Sequence, residues 1–334
     1  MTCDLNRTDD QRQILDAATA MLAAHYPVAR LREPRTDSMA ALAEFGGFLL
    51  AASEEDGGAG FTLVEEALLH VRLGHHLVSP RAVAGALACR LAARQAEPAL
   101  AERIAAGAAE VCPALPHGDG HLLIDAEGAA LALAFEGRRL SLIELGGTAP
   151  EPVAGLGHGG IATSRLAPGR GRRIAEGDDR ACLTADLLVS AQLLGIAEAA
   201  RDLAVDYAQT RRQFGKPIGA FQAIKHHCAN MGLQAEMLSA QLDMAAIAAR
   251  DGRDDAAFQV AALRRLAPRA ALFNTRTAIQ VHGGIGFSAE ADIHHYLKQA
   301  HVLIRLGEPA PLLDLPAALA PRTNRPRRTP CASP

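Results

Sequence analysis

Tryptophan is absent from the 334 residues, tyrosine occurs three times, and aromatic side chains make up only 4%. A core with few large rings must be filled by aliphatic side chains. Alanine and leucine dominate here over β-branched residues, which favours helix. The six cysteines (Cys3, Cys89, Cys112, Cys182, Cys228, Cys331) stand apart, with no C-x-x-C or Cys/His spacing, so neither a zinc site nor a disulfide framework is expected. Thirteen histidines include the pairs His75/His76, His226/His227 and His294/His295, but no H-E-x-x-H or E-x-x-H pattern; they read as surface or interface residues, and no metal is expected. The formal net charge is only −3 and no basic face stands out before the tail, which argues against nucleic acid or an anionic membrane as partner. The first residues, MTCDLNRTDD, lack the apolar stretch of a signal peptide, and no run approaches the roughly 20 apolar residues of a membrane span. A cytoplasmic protein is the expectation.

What the chain does contain is organised around Thr210 to Gln222, TRRQFGKPIGAFQ. The run before it carries Leu187, Ala191, Leu194 and Ala197 at helical spacing and ends in Arg211 and Arg212, cations suited to a helix C-terminus. Gly215 is expected to stop that helix. Lys216 and Pro217 then turn the chain, and a new amphipathic run opens near Phe221 and Gln222.

The rest divides by composition. Thr8 and Gln11 form a capping box for a first helix expected to run to about Arg30, a second helix spans about Ser38 to Phe45, and Thr62 with Glu65 caps a helix reaching about His75. Ser79 and Pro80 supply a cap and a first-turn proline for a helix from Arg81 to Arg94. From about Val111 short apolar runs alternate with Gly, Asp and Glu; Leu131–Phe135 and Leu140–Ile143 are candidate strands, and the Gly-, Pro- and Arg-rich stretch up to Asp179 reads as surface loops. Long helical runs follow over Leu183–Gln209, Phe221–Ala249, Asp255–His282 and Ala291–Leu303. The expected fold is mainly α with a small β middle domain: an N-terminal helical bundle (1–107), a shortened β-domain (108–179), a C-terminal four-helix bundle (180–310), and a Pro- and Arg-rich tail (311–334) expected to be disordered.

The stretch Thr210–Gln222 resembles the R-x-x-F-G-x-x-I-x-x-F-Q signature of the acyl-CoA dehydrogenase flavoproteins, with Arg211, Phe214, Gly215, Ile218, Phe221 and Gln222 in register. About sixty residues later, Gln280, Gly283, Gly284, Gly286, Phe287 and Glu290 resemble the family's Q-x-x-G-G-x-G-[FY]-x-x-E motif. LAASEEDGGAG, with Gly57, Gly58 and Gly60, looks like its L-x-x-P-E-E-x-G-G-x-G loop, although Ala52 and Ser53 stand where the family usually has Val-Pro. The resemblance covers roughly Asp9 to Leu306. It implies FAD as cofactor, an acyl-CoA substrate, and an electron-transfer flavoprotein or similar acceptor. By the same resemblance Arg211, Phe214, Gln222, Gln280, Val281, His282, Gly283 and Gly284 would contact the ADP portion of FAD held mainly by an adjacent subunit.

Two departures from the family matter. The middle-lobe motifs that grip the isoalloxazine, Y-x-[TS] and W-[IV]-T, are not visible. The catalytic carboxylate is also missing from both places where the family puts it: an ungapped count from Gly286 reaches Gly307, and the earlier position falls on Ala185. Glu308, one residue later, is the catalytic candidate, and Asp186 a weaker one. These features imply a base-lacking subunit of a hetero-oligomer (a heterotetramer by analogy with bacterial enzymes acting on steroid-like or other bulky acyl-CoA), with a second acyl-CoA dehydrogenase-like subunit supplying the base and most of the acyl pocket. A self-sufficient homo-oligomer using Glu308, and a flavin-free structural subunit, remain as alternatives.

Overall fold

The structure is a computed structural model that describes residues 7–33, 37–52, 58, 60–95, 97–147, 151–153 and 161–308. The tail from 311, and Ser53 to Gly57 of the glycine-rich loop, lie outside the described residues. Five helices come first: α1 (Asp9–His25), α2 (Ala40–Glu44), α3 (Leu63–His75), α4 (Arg81–Arg94) and α5 (Pro98–Ala105). Both expected capping boxes form, and they are joined: Gln11 of the first donates its Nε2 to Glu65 of the second at 2.7 Å. The first helix stops at His25, not Arg30, because Pro27 has no N–H to donate and its ring excludes a further helical turn; a short 3-10 turn over Val28–Arg32 follows. Pro80 occupies the N-cap of α4 and not its first turn. The Ser79 hydroxyl accepts from Arg81 N–H at 3.3 Å and donates to Asp125 at 2.5 Å, tying this helix start to the sheet.

Seven strands follow: β1 (Val111–His117), β2 (Gly120–Ile124), β3 (Leu131–Glu136), β4 (Arg139–Glu144), β5 (Glu151–Pro152), β6 (Thr163–Leu166) and β7 (Arg172–Gly177). They form one sheet in the order β5-β6-β2-β1-β3-β4-β7, antiparallel except for the central pair β1/β3. Part of the stretch read as surface loops is therefore strand. Its members β5, β6 and β7 lie toward the two sides of the sheet and are mostly exposed, so they lack the apolar alternation that marks β3 and β4.

The last part of the chain is α6 (Asp179–Thr210), α7 (Gln222–Arg250), α8 (Ala256–His282) and α9 (Ile293–Ile304), with α6 and α8 packed side by side. Helix α6 also carries α3 on another side. A Cβ on Gly195 would lie 1.9 Å from the Val71 carbonyl, and one on Gly74 2.1 Å from that of Gln192, so the α3 and α6 backbones touch. Among the described residues α6 is the one helix long and apolar enough to cross a membrane, but 83% of that window is buried in protein. Its apolarity serves a helix surrounded by other helices.

Helix α6 ends at Thr210, five residues before Gly215. Arg212–Gln213 (β8) and Lys216–Pro217 (β9) pair as a tight hairpin whose two tip residues, Phe214 and Gly215, both have positive φ (52° and 81°). That is the requirement of a type I′ turn, which explains the glycine; Phe214 holds the same conformation despite its side chain.

Candidate functional site

Helices α6 and α8 run parallel. Asp186 meets Arg264 near their starts, Asn274 donates to the Ala197 carbonyl at mid-length, and Tyr207 stacks on His282 at their ends. The two sequence motifs, one after each helix, are thereby brought to the same end of the bundle. The Tyr207 and His282 rings lie 4.4 Å apart and 20° from parallel, and His282 Nδ1 donates to the Ala278 carbonyl at 2.7 Å, which fixes the ring. Tyr207 was not a sequence candidate; a tyrosine facing into a helix pair carries no local signal of its partner.

Around this pair the chain presents an unusual surface. Phe214 is 91% exposed and Phe287 78%. Phe221 meets Phe214 edge-on at 6.2 Å and carries Lys216 Nζ 4.4 Å above its ring. Arg211, Gln222, Gln280, Gly283 and Gly284 are all exposed. Gly283 has φ of 65°, and a Cβ built on it or on Gly284 would meet no atom within 4 Å. Val281 differs: its side chain is buried in the core, so only its backbone faces this surface. Guanidinium and ammonium donors, uncovered glycine backbone and exposed aromatic rings suit a ligand with both phosphate oxygens and a flat ring system. They fit the ADP portion of a dinucleotide.

The other end of α6 holds the candidates for acid–base work. Gly307 has φ of 80°, which favours glycine, and a Cβ there would lie 4.0 Å from Asp186 Oδ1. Gly307 and Asp186, far apart in sequence, are thus neighbours in space. Asp186 is buried, with Arg264 Nε donating to it at 3.2 Å and Arg138 forming a looser ion pair with it at 3.7 Å. Burial pushes its carboxyl up to about 6, against the pull of Arg264 and Arg138. Arg264 also donates to the carbonyls of Ile304 and Leu306, securing the chain as it leaves α9. Glu308 is exposed; its backbone N–H donates to the Gly137 carbonyl at 3.3 Å.

Two cavities flank the start of α6. One of about 970 Å³ lies between α4, α5 and α6, and one of about 860 Å³ is lined by Asp186, Arg138 and the facing ends of α7 and α8. They share Leu63, Arg180 and Thr184 as a common wall.

Residues 185–307 match the acyl-CoA dehydrogenase C-terminal domain. The acyl-CoA dehydrogenase IpdE2 of Mycolicibacterium smegmatis is 33% identical over 266 residues, covering 77% of this chain and 79% of that protein. Among solved structures, the Tcur3481–Tcur3483 steroid acyl-CoA dehydrogenase aligns with a TM-score of 0.77 at 22% identity, covering 91% of this chain and 96% of that one. The ChsE4–ChsE5 complex of Mycobacterium tuberculosis aligns with a TM-score of 0.73 at 24% identity, covering 90% and 94%. A glutaryl-CoA dehydrogenase from Mycobacterium smegmatis, solved in complex with FADH2, aligns with a TM-score of 0.73 at 16% identity, covering 92% and 93%.

Proposed function

The chain belongs to the acyl-CoA dehydrogenase family, and from that premise we propose that it is the base-lacking subunit of a hetero-oligomeric enzyme that dehydrogenates a bulky, steroid-like acyl-CoA between its α- and β-carbons. The observation that carries this reading is an asymmetry along α6. Its C-terminal end carries the exposed Arg211, Phe214, Gly283 and Gly284, while at its N-terminal end Gly307 and Ala185 stand at the positions that the family resemblance gives to the base and the nearby carboxylate, Asp186, is held by two arginines. FAD bound at the shared site would accept the hydride leaving the β-carbon. Arg211 and Lys216 would pair with its phosphate oxygens, Phe214 would lie against a ring, and the backbone at Gly283 and Gly284 would approach it closely, as open glycine backbone permits. Removal of the α-proton needs a carboxylate within hydrogen-bond reach. Glu308 is exposed and Asp186 is engaged by Arg264, so the proton goes to a carboxylate of a second acyl-CoA dehydrogenase-like subunit. The likeness to the Tcur3481–Tcur3483 steroid enzyme and to the ChsE4–ChsE5 complex supports both the substrate class and the hetero-oligomer. A heterotetramer, an electron-transfer flavoprotein as acceptor, a cytoplasmic location and the division at 107/108 and 179/180 belong to the same proposal.

The test is to express this chain alone and together with the acyl-CoA dehydrogenase-like chain encoded nearest to it, then measure bound FAD and complex mass. A colourless lone chain, and a complex carrying about one FAD per two chains, is the expected result. A lone chain that binds one FAD each and oxidises an acyl-CoA would establish the self-sufficient homo-oligomer instead. A complex devoid of flavin would establish a structural subunit.

A further inference from the structure

Tyr207 lies in the last turn of α6 and serves two neighbours. Its backbone carbonyl accepts from the Arg211 N–H at 2.8 Å and from the Thr210 hydroxyl at 3.3 Å, which closes the helix where the hairpin of β8 and β9 begins. The chain beyond the hairpin then folds back on the same turn. Ile218 donates to the Arg211 carbonyl at 2.8 Å, and a Cβ on Gly219 would lie 3.0 Å from the Ala208 carbonyl. The Tyr207 ring meanwhile reaches His282 at the end of α8. One turn of α6 therefore holds the hairpin by its backbone and the end of α8 by a side chain.

His282 is the residue from which the glycine turn springs. One face of its ring carries Tyr207 at 4.4 Å, and its Nδ1 edge is tied to the Ala278 carbonyl. Gly286 packs against its stem, where an added Cβ would lie 3.1 Å from the His282 Cβ and 2.8 Å from the Ile279 carbonyl. Gly286 is the one buried residue of the turn Gly283–Phe287. Gly283 and Gly284 have no side chains to hold them and open space where side chains would be, and glycine backbone loses more freedom on ordering than any other. A ligand that had to order them itself would bind more weakly. The turn is ordered instead from His282, and His282 is held against α6 by Tyr207.

We propose that Tyr207 is a positioning residue for the ADP portion of FAD: stacked on His282, its ring sets the distance between the Gly283–Gly284 backbone and the hairpin that carries Arg211 and Phe214, so that one ligand can touch both. This rests on the shared-site reading above and adds to it the residue that joins the two halves of the surface. The Tyr207 hydroxyl makes no hydrogen bond among the described residues, so the ring carries the role and the hydroxyl does not.

The test is made on the full-length chain, co-expressed with the second subunit, in the oligomer in which it purifies. The oligomer is stripped of flavin and titrated with FAD and, separately, with ADP, which lacks the isoalloxazine. Tyr207→Leu removes the ring, Tyr207→Phe keeps it, and His282→Leu removes the other half of the stack; circular dichroism and complex mass check folding and assembly. Tyr207→Leu should weaken FAD and ADP alike by about tenfold, chiefly through faster release. Tyr207→Phe should stay within about twofold of wild type. In a chain already carrying His282→Leu, adding Tyr207→Leu should cost less than about twofold, because the stack is already gone. If Tyr207→Leu does not assemble, His282→Leu takes its place, with a loss of about tenfold or more expected. Unchanged affinity in the Leu variant, a loss in Tyr207→Phe as large as in Tyr207→Leu, or losses that multiply in the double variant each overturn the role given to Tyr207 and leave the shared flavin site standing. Failure of the wild-type oligomer to bind either FAD or ADP overturns the shared site and the role of Tyr207 with it.

Discussion

Gln192 of α6 donates its side-chain amide to Nδ1 of His70 on α3 at 3.3 Å, at a place where both residues are buried. An amide nitrogen can only donate, so Nδ1 must accept, and the imidazole must be neutral. Burial, helped by the nearby Arg90 cation, pushes the His70 pKa down to about 3. Its ordinary value, which the unfolded chain has, is near 6.5. A histidine depressed on folding is neutral in both states above that value, so it does not change stability there. Below it the unfolded chain takes up the proton and the folded one does not, so stability falls as pH drops from about 6.5 toward 3. At about pH 5.5 the loss from this group is about 1.5 kcal/mol. Chemical unfolding at a series of pH values checks it: a His70→Gln variant should lose most of the slope in this window, and an unchanged slope would show that His70 is not the group responsible.

The contact between α3 and α6 makes a second prediction. An alanine at Gly195 would drive its Cβ against the Val71 carbonyl, and a backbone oxygen cannot move aside without shifting the helix. Gly195→Ala should cost about 3 kcal/mol or more. Gly232 of α7 is the control, since a Cβ there meets nothing within 4 Å; Gly232→Ala should raise stability by about 0.5–1 kcal/mol through helix propensity alone. Thermal melts of the two variants, moving in opposite directions, would confirm the packing.

Phe214 combines 91% exposure with a φ of 52°, so it serves the isolated chain poorly. Phe214→Asn puts Asn-Gly, the preferred pair for a type I′ turn, at the hairpin tip and should stabilise the chain by up to about 1 kcal/mol. If the ring lies against FAD, the same change should lower the flavin retained per complex after gel filtration. A stabilised variant with undiminished flavin would remove Phe214 from the binding surface.

Glu308 is exposed and not aimed at the Asp186 cleft by any side-chain hydrogen bond among the described residues. Glu308→Gln should therefore leave the kcat of the active complex within about twofold. A loss of a hundredfold or more would restore Glu308 as the base and with it the self-sufficient enzyme.

Gly307→Glu is expected not to create a base. The backbone at this position has a φ of 80°, unfavourable for any side chain, and the new carboxylate would start within reach of Asp186, a like charge in a buried setting. Assaying the lone chain carrying this change for acyl-CoA oxidation gives a direct answer; activity would mean that only the missing carboxylate separates this subunit from a complete enzyme.

What the sequence determined by itself was whatever depends on neighbours along the chain. Helix starts at Thr8 and Thr62 follow from capping boxes, in which a side chain satisfies a backbone group three residues away. The long helices over 179–304 follow from the spacing of alanine and leucine, and the two ligand motifs from residue types in a fixed order. The helix stop expected at Gly215 is a hairpin tip instead, because a positive-φ glycine serves a hairpin tip as well as a helix end. Strands β5, β6 and β7 carry no apolar alternation, because β5 and β7 are the edges of the sheet and β6 is flanked on its outer side only by the two-residue β5. Only the tertiary structure decided the rest. It put Gly307 beside Asp186, Tyr207 against His282, Gln192 on His70 and Glu66 behind Arg90. Each of these contacts joins residues on different helices or loops. Their energy comes from burial and charge compensation across a shared core, and no local pattern in a single strand of sequence encodes which distant residue will supply the other half.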